Sequence, residues 1–280
     1  MNDDPTELTA VDPTTFASAY GPCALVTGGA NGIGLEYCRQ LAAMGLDLVV
    51  LDRDRVALDA LVSELASLSP GVRVDAAVVD LAQPAATLLA AARSATVGRE
   101  IGLLVANAAW SPVGPFLDTD VDGLLSAIDI NCRAPVVLAH EYGRTMRDRG
   151  RGGIIVMSSI AAEAGTAQVA LYSATKAFDL VLAEGLWFEL RAHGVDVIAI
   201  RPGSTRTPGW QSSQPADADL DGVLEPADVA REAVALLGTA PSAAAGAANR
   251  AAEAAFRRMS RREVVELMSG ITSGLKSSSS

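Results

Sequence analysis

The sequence has few of the residues that build metal centres or disulfide frameworks. It contains three cysteines and two histidines in 280 residues. Cys23, Cys38 and Cys132 are odd in number and far apart, without the short spacings of metal ligands. We therefore expect a reduced, intracellular chain with no metal site. His140 and His193 lie at no predicted strand end, so we expect both to be structural.

Positive charge and long apolar runs are also scarce. The 22 Lys and Arg residues face 33 Asp and Glu residues, a net charge of −11, which argues against binding the phosphate backbone of a nucleic acid. No apolar run approaches the roughly 18 residues of a membrane span. The acidic start, MNDDPTELTA, does not have the pattern of a signal peptide. We expect a cytoplasmic protein that neither spans a membrane nor binds nucleic acid.

Hydrophobic residues, in contrast, make up 50% of the chain, and they alternate between β-rich runs and longer helical patterns. The runs rich in Val, Ile and Leu are residues 23–28, 46–52, 72–80, 102–108, 153–159 and 195–203. Continuous apolar runs are typical of strands buried on both faces. With helices between them, they predict an α/β fold with a doubly wound parallel sheet. Such sheets bind their ligand beyond the carboxyl ends of the strands.

The sequence predicts a single catalytic domain with short extensions. Residues 1–19 are polar and are expected to form an N-terminal arm, the domain spans residues 20–270, and residues 271–280 are expected to be frayed. Inside the domain, the polar segment 207–224 is predicted to be a substrate loop. Residues 226–270 are Ala-rich and predicted to form a helical tail.

A glycine-rich turn, TGGANGIG, follows the first predicted strand and leads directly into a helical pattern. Gly28, Gly32 and Gly34 would let the backbone approach a pyrophosphate, whose charge then lies at a helix N-terminus. Any tight turn between a strand and a helix can use glycine for its own geometry. The position after the first strand favours dinucleotide binding.

Polar residues at the next strand ends bear on which cofactor is bound. Asp52 ends the second strand, where a carboxylate accepts both hydroxyls of the adenosine ribose and repels a 2′-phosphate, which favours NAD. Asn31 in the turn supplies no positive charge, but the Arg53 guanidinium leaves NADP open. Asp80 suits the adenine edge or a helix cap, and Asn107 ends the fourth strand in the same crevice.

The stretch YSATK places Tyr172 and Lys176 one turn apart on the same face of a helix. A free tyrosine has a pKa near about 10, too high for a base at neutral pH, but a neighbouring ammonium favours the phenolate. The pair then makes a general acid or base. Ser159, which ends the fifth strand, can steady a substrate oxygen. Taken alone, YSATK also fits an ordinary pair on a helix surface.

In this order, the motifs resemble those of the short-chain dehydrogenase/reductase superfamily over about residues 20–237. The resemblance implies a Rossmann-like fold and an NAD(P)-dependent alcohol dehydrogenase or carbonyl reductase, which transfers a hydride between nicotinamide and a secondary alcohol or ketone. It implies proton transfer by Tyr172 and orientation of the substrate by Ser159. Lys176 would favour the phenolate and bind the ribose, and Asn131 would hold a water in a proton relay.

The resemblance also implies a set of cofactor contacts around the strand ends. The set comprises Gly28, Asn31, Gly32, Ile33, Gly34, Asp52, Arg53, Asp80, Leu81, Asn107, Ala108, Tyr172, Lys176, Pro202, Gly203, Thr205 and Thr207. Ile33 would contribute its backbone to the pyrophosphate site. The residues after the sixth strand would lie on the nicotinamide and pyrophosphate side.

Two tryptophans are candidates for the substrate pocket. The candidate set is Trp110, Ala161, Ala162, Gln168 and Trp210. If the tryptophans flank the cleft, the substrate is fairly apolar. Trp187 and Phe188 follow YSATK on the same helix and are expected in the core or in a helix-bundle interface. This helix is the usual dimer surface of the family, which implies a homodimer or homotetramer.

The chain departs from the family pattern in places. Residues 106–109 read Ala-Asn-Ala-Ala where Asn-Asn-Ala-Gly is usual, and the Ala-rich tail replaces the usual C-terminal strand. Asp52 puts the use of NADP in doubt. A rival function is a non-catalytic dinucleotide-binding sensor or scaffold, which would need no proton path. A dehydratase or epimerase is a second rival, but such enzymes usually carry a longer substrate domain.

Overall fold

The structure is a computed structural model that describes residues 10–214 and 222–276. Within these residues, seven parallel strands form one sheet in the order β3-β2-β1-β4-β5-β6-β7. The strands are β1 (Cys23–Thr27), β2 (Asp47–Asp52), β3 (Val74–Val78), β4 (Ile101–Ala106), β5 (Gly152–Met157), β6 (Val195–Arg201) and β7 (Ser242–Ala244). The predicted doubly wound α/β fold is therefore confirmed.

Helices cover both faces of this sheet. They are α1 (Pro13–Tyr20), α2 (Gly32–Ala43), α3 (Arg55–Leu68), α4 (Ala85–Ala95), α5 (Val121–Ile128), α6 (Ala134–Arg149), α7 (Ala170–Leu190), α8 (Pro208–Ser213), α9 (Pro226–Leu236), α10 (Ala247–Phe256) and α11 (Arg261–Thr272). Among the residues described, no helix combines the length and apolarity needed to cross a membrane.

The apolar runs form strands because the two sides of each central strand serve two different cores. In β1, Ala24 and Val26 pack with α2, α3 and α9, whereas Leu25 packs on the opposite face with α4, α6 and α7. All five residues of β1 are buried. A strand covered on both sides needs apolar residues at every position rather than at alternate ones.

The predicted helical tail is wrong at one place, because residues Ser242–Ala244 form β7 and pair with β6. The segment Ser-Ala-Ala contains neither β-branched nor aromatic residues, so propensity gives no sign of a strand. The free edge of β6, at Ala199 to Arg201, supplies the backbone partners. The usual C-terminal strand is therefore present in a short form.

The predicted N-terminal arm also needs correction. Residues 13–19 belong to α1, whose Phe16 and Tyr20 are buried beside the sheet. The Tyr20 hydroxyl donates a hydrogen bond of 2.7 Å to Oδ2 of Asp196 on β6. Residues 1–9 of the predicted arm lie outside the described part of the chain.

The C-terminal segment is ordered further than expected. Helix α11 extends to Thr272, and the backbone N–H of Lys276 donates to the carbonyl of Ser213 on α8 over 2.9 Å. Fraying is thus contradicted for residues 271–276, while residues 277–280 lie outside the described part. In the predicted substrate loop, residues 208–213 form α8, and residues 215–221 are likewise not described.

Candidate active site

The sheet reverses its strand order between β1 and β4, and this reversal locates the crevice where ligands bind. From β1 the chain builds outward through β2 and β3, and from β4 it builds in the other direction through β5 and β6. The loops that leave the carboxyl ends of β1 and β4 therefore diverge and open a cleft. Many of the predicted residues, from the glycine turn to Asp52, Asn107, Ser159 and Pro202, stand at or directly after the carboxyl end of a strand, so they lie along this edge of the sheet.

The glycine turn is packed too tightly for side chains. Gly28 and Gly32 have φ angles of +63° and +56°, which L side chains rarely adopt. A Cβ on Gly28 would lie 2.9 Å from the Cα of Ala108, and a Cβ on Gly34 would overlap the carbonyl oxygen of Gly28. Gly32 begins α2. The turn therefore brings its backbone to the surface of the cleft at the start of a helix.

The N-terminus of α2 fits an anionic group. Asn31 is its N-cap residue, but the Asn31 side chain makes no capping hydrogen bond to the helix. The first N–H groups of a helix need partners, and they carry a partial positive charge. A pyrophosphate supplies both a partner and a counter-charge. These residues therefore fit a dinucleotide, with the backbone of Ile33 in the first turn.

Asn107 fixes the turn from the neighbouring strand end. Its Nδ2 donates to the carbonyl oxygens of Thr27 and Gly28, over 3.0 and 3.1 Å. The backbone N–H groups of Asn107 and Ala108 donate to Oγ1 of Thr27, over 3.1 and 3.2 Å. The side chain of Asn107 therefore braces β1 against β4, and the Ala108 backbone lies against Gly28.

Asp52 stands beside the glycine turn at the end of β2. Its Oδ2 accepts from the N–H of Ala30 over 3.0 Å, and its Oδ1 accepts from the N–H of Asp54 over 3.1 Å. Each carboxylate oxygen can accept further hydrogen bonds, so the anchored group can still receive ribose hydroxyls. Arg53 is exposed next to it.

The end of β3 contributes less than expected from its side chains. Asp80 is exposed, and its Oδ1 accepts from the N–H of Ala82 over 2.9 Å. This contact closes a local turn of the kind that Asp commonly makes. The Leu81 side chain is buried in the core, which leaves its backbone as the group that can face the cleft.

The segment after β6 closes the other side of the cleft. Thr207 accepts from the N–H of Trp210 over 3.2 Å and so caps α8. A Cβ on Gly32 would lie 3.0 Å from Cγ2 of Thr207. Two predicted cofactor segments, distant in sequence, therefore meet at Gly32. Thr205 forms an isolated parallel bridge with Leu224, which ties this segment to the chain before α9.

Pro202 and Gly203 connect β6 to the neighbouring elements. The carbonyl oxygen of Pro202 accepts from the N–H of Ile160 over 2.9 Å and from Oγ of Ser159 over 3.3 Å. Gly203 lies against Asn249 of α10, so a Cβ there would collide with the amide group. These contacts bring the ends of β5 and β6 together.

Tyr172 and Lys176 lie in the first half of α7 on one face. The Lys176 Nζ lies 5.7 Å from the centroid of the Tyr172 ring. It donates to the carbonyl oxygen of Met157 over 2.6 Å and to Oδ2 of Asp179 over 3.0 Å. Burial alone would lower the pKa of Lys176, but the charge and hydrogen bond of Asp179, with Tyr172, outweigh burial and raise it. The lysine is therefore a buried ammonium beside the phenol.

Ser159 directly follows β5 and Ser158. Its Oγ accepts from the N–H of Ala161 over 3.1 Å and thereby caps the short 3-10 turn Ile160–Glu163. The hydrogen bond that it donates to the carbonyl oxygen of Pro202 is long, at 3.3 Å. The hydroxyl is buried and fixed at the strand end, and its weak donor bond leaves it able to turn toward a substrate oxygen.

Asn131 lies in a π-helical turn, Asp129–Arg133, between α5 and α6. It is fully buried, and its Nδ2 donates to the Trp110 carbonyl and to Oγ1 of Thr175, over 2.8 and 3.0 Å. Its Oδ1 accepts from the N–H of Trp110 over 2.9 Å. Single π turns frequently occur at functional sites. Here the amide clamps the loop after β4 to α7 next to Lys176.

The predicted substrate residues lie on separate segments of the chain. Trp110 lies over Gly123 of α5, Gln168 has a φ of +65°, and its carbonyl accepts from the N–H of Gly114 over 2.8 Å. Ala161 lies in the 3-10 turn, Trp210 lies on α8, and both are partly buried. No hydrogen bond joins any two of Trp110, Ala161, Gln168 and Trp210 in the described ranges.

One wall of the site was not predicted from the sequence. Helix α11 covers the segment between β5 and α7: Ala167 donates through its N–H to Oγ of Ser269 over 3.1 Å and accepts from Oγ1 of Thr272 over 2.8 Å. Val264 and Met268, one turn apart, pack on Ala164. Their spacing is an amphipathic signal, but it does not reveal which surface the helix covers.

The electrostatic neighbour of Lys176 was also missed. Asp179 follows Lys176 by one turn and is almost completely buried. An acidic residue among the apolar residues of α7 is visible in the sequence. An isolated acidic residue usually indicates a solvent-exposed position, so the pairing became apparent only from the coordinates.

A scan against protein families matches residues 22–218 to the model described as short chain dehydrogenase. Among curated proteins, the 7beta-hydroxysteroid dehydrogenase of Collinsella aerofaciens is 29% identical over 235 residues, covering 82% of this chain and 88% of that protein. The galactitol 2-dehydrogenase of Agrobacterium fabrum is 33% identical over 192 residues, covering 67% and 72%.

The very-long-chain 3-oxoacyl-CoA reductase of Podospora anserina is 34% identical over 179 residues, or 63% of this chain and 53% of that protein. This chain thus spans about half the length of that relative. Among solved structures, one described for its insights into 7beta-hydroxysteroid dehydrogenase stereoselectivity matches with a TM-score of 0.83 and 28% identity over 90% of this chain and 98% of that one. A short-chain dehydrogenase from Sphingobium yanoikuyae in complex with NADPH matches with a TM-score of 0.72 and 32% identity, over 85% and 94%.

Proposed function

Because the chain belongs to the short-chain dehydrogenase family, we propose that it is an NAD(P)-dependent oxidoreductase that interconverts a secondary alcohol and a ketone. The observation that carries this proposal is that two groups of residues lie at the carboxyl ends of the strands of one sheet. The glycine turn contacts Ala108 and Thr207 there, and the buried ammonium of Lys176 stands beside the Tyr172 ring on the adjoining α7.

The nicotinamide group, when bound, supplies the hydride chemistry, and the protein must orient the substrate and move one proton. The Tyr172 hydroxyl donates that proton to a carbonyl oxygen during reduction and accepts it from an alcohol during oxidation. The Lys176 ammonium favours the phenolate that oxidation requires. The Ser159 hydroxyl hydrogen-bonds the substrate oxygen and stabilises the negative charge that develops on it.

A direct assay tests this proposal. Protein incubated with NADH or NADPH and a series of apolar ketones should lose the absorbance of the reduced cofactor, with one alcohol formed for each cofactor oxidised. The reverse reaction should proceed with the corresponding secondary alcohols. The absence of turnover with both cofactors and all substrates, in protein that binds the cofactor, would favour a non-catalytic sensor instead.

The preferred cofactor is proposed to be NAD. The Asp52 carboxylate is held in place by two backbone N–H groups, and a fixed negative charge there repels a 2′-phosphate. Calorimetric titration should show tighter binding of NADH than of NADPH. Asp52→Ala should weaken NADH binding by roughly tenfold, the equivalent of one lost hydrogen bond to a charged group. If NADPH binds more tightly and Arg53→Ala abolishes that advantage, Arg53 determines the choice and this proposal is wrong.

The substrate is proposed to be fairly apolar. The backbone N–H of Trp110 is hydrogen-bonded to Asn131, and that of Trp210 is hydrogen-bonded to Thr207. The relatives named for a hydroxysteroid and for very-long-chain 3-oxoacyl groups support an apolar substrate. The galactitol 2-dehydrogenase relatives represent the alternative. Finding that small polyols are the best substrates, by kcat/KM, would contradict this assignment.

We further propose that the protein is a homo-oligomer assembled through α7. Phe178, Val181 and Phe188 on this helix are exposed, and a row of exposed apolar residues on one helix is typical of an interface. Trp187 instead packs partly on the core, with the Arg191 guanidinium 4.7 Å from its ring. Whether a dimer or a tetramer forms depends on a second interface that this face does not define.

The proposed compartment is the cytoplasm, and the proposed catalytic unit is the single domain 20–270. The three cysteines are free thiols. Burial, the largest effect, raises the pKa of Cys23 to about 12, and burial likewise raises the pKa of Cys38. Such protonated, buried thiols behave as core residues, which is compatible with a reducing compartment.

A further inference from the structure

Asp179 is a buried carboxylate to which the proposed mechanism gives no role. Only 1% of its surface is exposed, on the inner face of α7. Its Oδ2 accepts the bond from Lys176, while its Oδ1 has no hydrogen-bond partner among the described residues. A charged group in this position therefore retains an unsatisfied oxygen.

Packing does not explain why a carboxylate occupies this position. Burying a charge is costly, and well-packed apolar side chains of similar volume often stabilise a protein as well as a buried ion pair does. Burial raises the pKa of Asp179, and the Lys176 ammonium opposes that rise only in part. We therefore look for the role of this carboxylate in its effect on Lys176, its hydrogen-bond partner.

The geometry of α7 indicates that effect. Lys176 lies between Tyr172, one turn before it, and Asp179, one turn after it. An ammonium has three N–H donors, of which Met157 and Asp179 receive two. Asp179 thereby fixes the direction of the remaining donor, and its negative charge opposes the field of the ammonium at the Tyr172 hydroxyl.

Resting on the proposed function, we propose that Asp179 is a positioning residue that holds the Lys176 ammonium in place and limits how strongly that ammonium stabilises the Tyr172 phenolate. The phenol of Tyr172 would then experience the positive charge of Lys176 reduced by the negative charge of Asp179. The pH at which the enzyme becomes competent to oxidise alcohols would be set by three residues on one helix face rather than by two.

Neighbouring elements also place groups beside this trio. Cys132, from the π turn, is the titratable group that interacts with Lys176 and Asp179; burial first, and then Asp179, raises its pKa to about 11. It therefore stays neutral near neutral pH. From the end of β5, Met157 offers its carbonyl, and the uncharged Ser158 hydroxyl donates to the Lys176 carbonyl over 2.6 Å.

The test is the pH dependence of Asp179→Asn, which keeps an oxygen to accept the Lys176 bond but removes the charge. We expect the acidic limb of kcat/KM for alcohol oxidation to move to lower pH by about one unit, the size typical of one nearby charge. The matched control is Asp59→Asn, which makes the same substitution at an exposed position of α3, away from α7. Its pH profile should match that of the wild type.

A second readout requires no turnover. In the cofactor-free protein, phenolate absorbance is followed as pH rises, and Tyr172→Phe identifies the step that belongs to Tyr172. Burial raises the pKa of Tyr20, Tyr37 and Tyr142, so their phenolates form at a pH above the ordinary range of tyrosine. In Asp179→Asn, the Tyr172 step should move to lower pH, as in the kinetic profile.

An unchanged step, or one shifted to higher pH, in a folded Asp179→Asn variant would overturn the proposal and leave Asp179 with a structural role alone. If the Asn variant does not fold, Asp179→Leu removes the charge with an apolar side chain of the same branched shape, although it also removes the acceptor of the Lys176 bond; the same shift to lower pH is expected. If the proposed function itself is wrong, the wild-type protein will lack turnover. The absorbance step of Tyr172 would still decide the role of Asp179 in that case.

Discussion

Gly34 leaves no space for a side chain, because a Cβ there would overlap the carbonyl oxygen of Gly28 and press on the Asn107 amide. Gly34→Ala should therefore destabilise the fold by about 1–3 kcal/mol, the usual cost of overpacking. It should also displace the turn and weaken NAD(P)H binding by at least about tenfold. Denaturant unfolding and a binding titration measure the two effects.

Gly71→Ala is the matched control, since no atom lies within 4 Å of a Cβ at this surface position. Both its stability and its cofactor affinity should remain close to those of the wild type. A Gly34→Ala variant that binds cofactor as the control does would show that the turn does not approach the ligand.

At the residue scale, the sequence predicts those parts of the site whose residues all lie within one short stretch of the chain. The glycine turn and YSATK each fall within one short stretch, so their spacing alone predicts their arrangement. Asn107 was predicted to line the crevice; the coordinates add that its side chain braces Thr27 and Gly28. Asp179 was missed because burial of a charged side chain depends on what packs over it, which one sequence does not specify.

At the scale of elements, helix α7 serves both the site and the proposed interface. Val181 is 66% exposed on its outer face, between Phe178 and Phe188. Val181→Asp should convert the oligomer to monomers, because a charge at the centre of an apolar interface would lose its water without gaining a partner. Light scattering after size-exclusion chromatography would report the change in mass.

Val56→Asp is the control, because Val56 is 78% exposed on α3, on another surface of the molecule. This variant should keep the mass of the wild type. If Val181→Asp also keeps it, α7 is not the interface.

Elements were predicted from sequence where periodicity or apolar runs were strong. The runs in β1 to β6 are long enough to be recognised, and the fold class follows from their alternation with helices. The sequence did not predict the strand β7 or the helix α1. The segment Ser242–Ala244 lacks strand-forming residues, and α1 buries just two side chains, Phe16 and Tyr20. Both elements are stabilised by what they contact rather than by their own propensity.

At the scale of the whole molecule, buried tyrosines in both cores make the free energy of unfolding depend on pH. Tyr20 and Tyr37 lie in one core and Tyr142 in the other, and burial raises the pKa of all three. The stability that these neutral, buried tyrosines contribute is complete below the tyrosine pKa of the unfolded chain, about 10. Above it, the unfolded chain loses protons that the folded protein keeps, so the free energy of unfolding should fall as pH rises.

Tyr37→Phe tests this dependence, because Tyr37 is completely buried and its hydroxyl donates to Sδ of Met157 over 3.1 Å. Above about pH 10, the variant should lose stability less steeply than the wild type, by up to about 1.4 kcal/mol per pH unit, the value for one proton. Denaturant unfolding at a series of alkaline pH values measures the slope. Equal slopes would mean that Tyr37 ionises in the folded state.

The measurement that tests the central claim most directly compares Tyr172→Phe with the wild type for reduction of an apolar ketone by NADH or NADPH. The variant should lose kcat/KM by about a hundredfold to ten-thousandfold, the range for removal of a general acid. Its cofactor affinity, from a separate titration, should match that of the wild type. If the variant retains turnover, Tyr172 is not the proton donor and the proposed site is wrong.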